Sequence, residues 1–263
     1  MRVADLLTPP RDLRVLISAG AGGIGAAMAR AFHDSGAHVY VCDIDRVAID
    51  RITTELSGLK ASVADVADRV QVDRVFVEAE RALGGLDVLI NNAGVAGPTG
   101  SIEEIDIAEW ERTIAVNLNG QYYFARRAVP LLKRSRSNPV LIAISSVAGR
   151  LGYPFRTPYA ATKWSIVGLV KSLAIELGPM GIRVNAILPG PVEGERMNRV
   201  IAARAQALGV SVSMTRDEYL RKISLRRMVT VDDIAAMALF LCSPAARNVT
   251  GQDFSVDGNV EYL

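Results

Sequence analysis

Seven short runs rich in β-branched residues punctuate the chain: RVLIS (14–18), HVYVCD (38–43), ASVADV (61–66), DVLINN (87–92), VLIAIS (140–145), RVNAIL (183–188) and DFSVDG (253–258). Each is too continuously apolar for a strand with one face in water, and helices of about 10 to 20 residues fit between them. Parallel strands need crossovers, and crossover helices cover both sheet faces, which is the pattern these runs satisfy. The expectation is an α/β fold built on a doubly wound parallel sheet of about seven strands, with helices on both faces.

No linker or repeat divides the 263 residues, half of which are hydrophobic, so a single domain spanning 1–263 is expected. Thirty basic against 28 acidic side chains leave a net charge of +2, too even to suggest a nucleic-acid or membrane-surface partner. A small-molecule ligand fits better. The start, MRVADLLTPPRD, lacks the apolar run of a signal peptide, and no stretch approaches the roughly 20 apolar residues of a membrane span. The expected location is the cytoplasm. Cys42 and Cys242 stand far apart without metal-ligand spacing, so neither a disulfide framework nor a metal site is indicated. One irregular span, 189–230, is longer than a crossover needs. Within it ERMNRVIAARAQAL reads as an amphipathic helix, and the expectation is a substrate lid at about 193–228, with a solvated surface helix as the alternative.

Glycines 20, 22, 23 and 25 follow the first strand and open a helix, in AGAGGIGAAM. A bare G-x-G-x-x-G is weak, but between strand and helix it lets backbone N–H groups approach a pyrophosphate at the helix amino end. The sheet is accordingly expected to be Rossmann-like. Asp43 ends the second strand 18 residues beyond Gly25, close to the offset of about 20 for a carboxylate that binds a ribose 2′-hydroxyl. Such a carboxylate repels a 2′-phosphate, which favours NAD(H) over NADP(H); no arginine follows directly, Arg46 being the nearest. The alternative is that Asp43 caps the next helix.

Tyr159 and Lys163, in RTPYAATKW, lie four residues apart at a helix start and so on one face. They cannot form an ion pair, but a cation near a phenol favours phenolate and lowers a pKa normally about 10. Together with the glycine loop, NNAG (91–94), Asn117 in VNLNG, SSVAG (145–149), YAATK (159–163), LPGPV (188–192) and TGQDFSVDG (250–258), in that order, they give the chain a strong resemblance to the short-chain dehydrogenase/reductase family from Arg14 to about Gly258.

The resemblance implies that Tyr159 exchanges a proton with the substrate's carbinol oxygen and that Ser146 hydrogen-bonds the same oxygen. It implies that Asn117 holds a water in a proton relay and that Lys163 lowers the phenol pKa and reaches the nicotinamide ribose. Family spacing selects Ser146 over Ser145. Cofactor contacts are implied for Ser18, Gly20, Gly23, Ile24, Gly25, Asp43, Ile44, Asp65, Val66, Asn92, Ala93, Gly94, Pro189, Gly190 and Val192, besides Tyr159 and Lys163, with Asn91 also lining the cleft. The expected activity is NAD-dependent interconversion of a secondary alcohol and a ketone, in the oxidising direction, on a sugar, polyol or hydroxy acid. The alternatives are a 3-oxoacyl-(acyl carrier protein) reductase using NADPH, with Arg126 and Arg127 as a docking surface, and a non-catalytic dinucleotide sensor. Arg150, Arg156, Arg196, Arg199 and Arg204 suit an anionic substrate; the alternative is that they are solvated or pair with Glu193 and Glu195. Members of the family are often tetramers, and WSIVGLVKSLAIEL (164–177) carries more apolar residues than one buried stripe needs.

The chain departs from the family pattern in three places. Ser18 and Ala19 stand where its loop begins Thr-Gly, so the Ala19 methyl restricts the turn if φ must be positive, with Gly20 expected to take over and cofactor binding to survive. Gly194 replaces a threonine that bonds the nicotinamide amide, leaving that contact to the Val192 backbone. Asn259 replaces a second glycine and is expected to be benign.

Overall fold

The computed structural model describes residues 3–262. Seven strands, β1 (Arg14–Ser18), β2 (His38–Asp43), β3 (Lys60–Val63), β4 (Val88–Asn91), β5 (Val140–Ile144), β6 (Arg183–Pro189) and β7 (Asp253–Val256), form one sheet in the order β3-β2-β1-β4-β5-β6-β7. Every pairing is parallel. Strand order reverses between β1 and β4, which opens a crevice at their carboxyl ends.

Side chains alternate across the sheet with period two. Val15, Ile17, Val39, Val41, Val88, Ile90, Val140 and Ile142 enter one core with helices α1 (Gly23–Asp34), α2 (Arg46–Glu55) and α9 (Val231–Cys242). Leu16, Tyr40, Cys42, Leu89, Leu141 and Val184 enter the other with α3 (Arg69–Leu83), α5 (Gly120–Leu132) and α6 (Thr157–Leu177). Both faces bury apolar residues, which explains why no strand run alternates with polar positions. Local chemistry starts the helices: Asp45 and Asp68 each accept two backbone N–H bonds at the first turns of α2 and α3, and Thr230 and Asp233 form a capping box on α9.

Turn chemistry sets the strand ends. The expected run 61–66 stops at Val63, because Asp65 folds the chain by accepting from Ala67 N–H at 2.9 Å while its own N–H donates to Gln71. Likewise DFSVDG ends at Val256, where Asp257 accepts from Asn259 N–H and Gly258 takes φ 67°. Helix α4 (Ile107–Ile114) runs into a π turn, Ala115–Asn119, before α5.

The span expected as a lid contains α7 (Glu195–Leu208), with the anticipated bounds, and a second helix not foreseen, α8 (Val212–Arg221), capped by Ser211. Ile201, Tyr219, Ile223 and Met228 pack on Val147, Ala148 and Val260, so this pair of helices has an apolar seat at the carboxyl edge of the sheet. Among the described residues no helix is long and apolar enough to cross a membrane.

The opposite edge carries one buried ion pair. Asp87, 2% exposed, accepts from Arg14 Nε at 2.8 Å and Nη2 at 2.7 Å, and from Ser135 Oγ at 2.6 Å. Burial pushes its carboxyl up, but the bonds from Arg14 and Ser135 outweigh that and hold it below the ordinary value. A lowered folded pKa contributes stability that is complete above the unfolded value, about 3.9, and is lost as pH falls through the folded one. Replacing Asp87→Asn is expected to cost about 2 kcal/mol at neutral pH, and the variant's deficit should shrink under acid, as read from urea midpoints.

Candidate active site

The glycine loop hangs between β1 and α1. Its first turn requires positive φ, and Ala19 itself adopts it at 49°. Gly20 does not take over that role: its φ is ordinary, and its missing side chain instead lets the loop lie on Val41, whose Cβ would be 2.7 Å from an added methyl. Gly25 is held to hydrogen by close packing, since a Cβ there would lie 2.0 Å from the Ala19 carbonyl oxygen. Gly22 ends the loop as the N-cap of α1 with no side chain bonding the helix N–H groups, and space is open beside Gly22 and Gly23. Those free N–H groups suit an anion. Ile24 packs on the core below, and Ile44 lies 62% exposed beyond β2.

Asp43 does not cap α2; Asp45 does that. Asp43 Oδ2 accepts from Ala21 N–H at 3.1 Å and Oδ1 from Asp45 N–H at 3.2 Å, which fixes a half-buried carboxylate beside the glycine loop. Arg46 pairs loosely with Asp50 along α2. Farther along the edge, Asp65 is bridged to Arg112 of α4 at 2.9 Å, and Val66 is buried against Gly120.

Several residues expected at the cofactor serve the scaffold. The Ser18 hydroxyl accepts from the N–H groups of Asn92 and Ala93, and Asn92 Nδ2 donates to the carbonyls of Ser18 and Ala19. These bonds stitch the end of β4 to the loop. Asn91 donates to the Gln121 carbonyl at 2.9 Å.

Around the central crevice the polar side chains converge. Lys163, 3% exposed, donates through Nζ to the Ile144 carbonyl at 2.9 Å and stands 5.7 Å from the Tyr159 ring centroid. Ser145 turns away and donates to the Lys163 carbonyl at 2.8 Å, whereas Ser146, the N-cap of a short turn at Val147–Gly149, has its hydroxyl near enough to the Tyr159 phenol to help lower its pKa. Asn117 sits in the π turn and is fully buried. Its Oδ1 accepts from Val95 N–H at 2.7 Å, and Nδ2 donates to the Val95 carbonyl and to Thr162 Oγ1, both at 3.1 Å. Gly94 leaves the gap between them: a methyl there would meet Asn117 Oδ1 at 3.3 Å and Lys163 Nζ at 3.4 Å.

Burial raises the Tyr159 pKa, yet the Lys163 ammonium, the Arg196 guanidinium, the Ser146 hydroxyl and Arg156 together bring it below the ordinary tyrosine value. Lys163 is also lowered, by burial above all, although the adjacent phenol opposes this. The pair is a proton-exchanging group tuned towards neutrality.

Two features of this tuning were not anticipated. Arg156, 4% exposed, places its guanidinium carbon 5.1 Å from the ring centroids of both Tyr153 and Tyr159. Arg196 of α7 reaches over the crevice to donate to the Gly94 carbonyl at 2.9 Å. The clue available for the first was an arginine at the start of an otherwise apolar helix; nothing local marks the second. Arg150 instead bonds Ser255 at 2.8 Å, and Arg199 pairs with Glu195 on the surface.

Beyond β6, Val192 bridges Val229 through bonds that engage its neighbours, Pro191 and Glu193, and not Val192 itself. Gly190 donates to the Val256 carbonyl, and Pro189 ends β6. Gly194 then takes φ 137°, closed to threonine without strain, so the lost side chain goes with a different local backbone. Asn259 adopts φ 62°, a conformation asparagine tolerates, and its Nδ2 donates to Ser224 at 2.7 Å.

Residues 19–260 match the family model described as enoyl-(acyl carrier protein) reductase. The chain is 35% identical to 2-(S)-hydroxypropyl-CoM dehydrogenase 3 of Xanthobacter autotrophicus, over 95% of this chain and 96% of that one. It is 34% identical to trans-4-hydroxycyclohexanecarboxylate dehydrogenase of Sinomonas cyclohexanicum, over 92% and 90%. A crystal structure of 3-ketoacyl-(acyl-carrier-protein) reductase from Brucella melitensis complexed with NADH superposes with a TM-score of 0.85 at 31% identity, covering 95% of this chain and 98% of that one. The chain belongs to the short-chain dehydrogenase/reductase family, whose members are oxidoreductases using nicotinamide cofactors.

Ultraviolet titration should detect a phenolate forming below the usual tyrosine value of about 10, absent from Tyr159→Phe and moved upwards in Lys163→Met. Gly25→Ala should abolish dinucleotide binding, measured by NADH fluorescence, because its methyl cannot coexist with the Ala19 carbonyl.

Proposed function

We propose that this chain is an NAD(H)-dependent dehydrogenase that interconverts a secondary alcohol and a ketone, with a sugar, polyol or hydroxy acid as substrate. The observation that carries the reading is the Tyr159 phenol with buried Lys163 5.7 Å from its ring centroid and the Ser146 hydroxyl beside it, lowered in pKa at the edge that carries the glycine loop. When bound, the nicotinamide takes or gives the hydride at the carbinol carbon. Tyr159 accepts the carbinol proton during oxidation and returns it during reduction. Ser146 donates to the same oxygen and holds it over the phenol. Lys163 stabilises the phenolate while Ile144 fixes its ammonium. Both Asn117 amide hydrogens are committed to Val95 and Thr162, so a relay water is left to its backbone carbonyl.

The preference for NAD(H) rests on Asp43. Its carboxylate is free of the capping role, is fixed by Ala21 and lies where a 2′-phosphate would meet like charge. The hydroxy-acid class is favoured by similarity to a dehydrogenase named for a hydroxycarboxylate. A second reading, reduction of 3-oxoacyl carrier-protein esters, draws on a structural neighbour with that activity. Its docking surface is weakened, because Arg127 is engaged by Asp73 at 3.3 Å. The outer side of α6 exposes Trp164 (51%) and Ile175 (80%), which supports pairing with a second copy and the homotetramer expected from the family.

NADH and NADPH titrations test the assignment. NADH should bind more tightly, and Asp43→Ala should narrow the gap; tighter NADPH binding by the wild type would reject it. Tyr159→Phe should lower kcat by about 10²-fold or more with NADH affinity retained. Gly194→Thr should weaken cofactor binding, since the hydroxyl arrives on a strained backbone.

A further inference from the structure

Next to the catalytic tyrosine lies a narrow recess whose walls include Tyr153, Phe155, Arg156, Arg204 and Tyr219. Two guanidinium groups line it, and neither is satisfied. Arg156 Nε, Arg204 Nε and Arg204 Nη1 are buried without a hydrogen-bond partner among the described residues. Arg156 bonds only the Ala96 carbonyl, at 2.6 Å, and has no carboxylate partner. Arg204, with a side chain 11% exposed, reaches Glu218 at 3.4 Å, but Lys222 holds the same carboxylate at 2.7 Å. Glu218 is therefore shared between two cations, and Arg156 has no acidic partner among the described residues.

Removing a guanidinium from water without a counter-charge costs several kcal/mol, and a folded chain retains such groups where something offsets that cost. Aromatic faces offset part of it: Arg156 lies against Tyr153 and Tyr159, and Arg204 against Tyr219 at 5.5 Å. The two arginines that carry the remaining N–H donors are both among the residues lining the recess. The hydroxyls of Tyr153 and Tyr219 bond each other at 2.6 Å and bridge the sheet side to the lid side. Backbone strain is also concentrated here. Phe155 takes φ 62° and is pinned by the Gly100 N–H on its carbonyl, which sets Arg156 at the start of α6.

We infer that the recess between Arg156 and Arg204 receives a carboxylate of the substrate, so that the alcohol oxidised at Tyr159 belongs to a hydroxy acid. This rests on the dehydrogenase reading above and narrows its substrate class. A compact oxyanion supplies the acceptors that three free N–H groups lack and offsets the excess positive charge. Arg156 lies against the Tyr159 ring and also lines the recess, so the recess adjoins the phenol through this one guanidinium.

Binding and turnover test the two readings separately. Wild-type protein loaded with NAD⁺ is titrated calorimetrically with pentanoate and with pentanamide, which match in shape and differ in charge. The acid should bind at least tenfold more tightly, and Arg204→Met and Arg156→Lys should each reduce that ratio, with folding checked by circular dichroism. Equal affinity of acid and amide in the wild type overturns the subsite whatever the variants do, as does an acid preference that survives Arg204→Met in a folded protein. Turnover is then compared for 4-hydroxypentanoate and 4-hydroxypentanamide, where the subsite requires the acid to have the higher kcat/KM, mainly through KM. Equal turnover of the two removes the subsite and leaves the dehydrogenase intact. Failure to oxidise either, or any other secondary alcohol, removes the dehydrogenase reading itself.

Discussion

A parallel sheet buried on both faces governs nearly everything else in this molecule. Because every strand runs the same way, every carboxyl end reaches one edge, and the crossover helices must start there. Glycine loop, Asp43, Asn91, Ser146 and the first turn of α6 are thereby gathered along a single rim although more than a hundred residues separate them in sequence. The rim also receives the positive ends of helix dipoles, so it favours anions before any side chain is considered.

At the centre of that rim the energetics of charge and burial oppose each other. Lys163 and Arg156 are almost fully buried, yet neither has an acidic partner among the described residues. Lys163 is tolerated because the Ile144 carbonyl and the phenol beside it share its charge, and Arg156 because two aromatic faces do. The cost of holding these cations out of water is converted into a lower Tyr159 pKa, which links the stability of α6 to the reactivity of its first turn. Acid loss of Asp87 at the far edge is separate, as it lies at the amino ends of the strands.

Much of this was legible in the residues. Strand runs located the sheet because two-sided burial leaves a strong, continuous apolar signal, and β1 and β2 have the bounds their sequences suggest. Helix α7 was legible from its periodicity, but α8, with few apolar positions and three residues of separation, was not. The positive φ of Ala19 was foreseen as a difficulty, while its solution, alanine adopting that conformation itself, depends on packing around Gly20 and Gly25 that sequence does not encode locally. Asp43 could be read as ribose ligand or cap, and the position of Asp45 as the N-cap of α2 removes the second of these. The reach of Arg196 to Gly94 joins residues 102 positions apart, and no spacing rule announces it.

Gly194 divides the molecule in another sense. It is the residue at which the chain leaves β6 for the pair of helices α7 and α8, and its φ of 137° fixes that entry to glycine. On the far side of it, substitutions in α7 and α8 change the walls of the chamber while the rim keeps its geometry. Under the dehydrogenase reading proposed above, a lineage that keeps Gly194 and Arg196 can therefore exchange one substrate for another by drift elsewhere in α7 and α8, with the surroundings of Tyr159 unchanged.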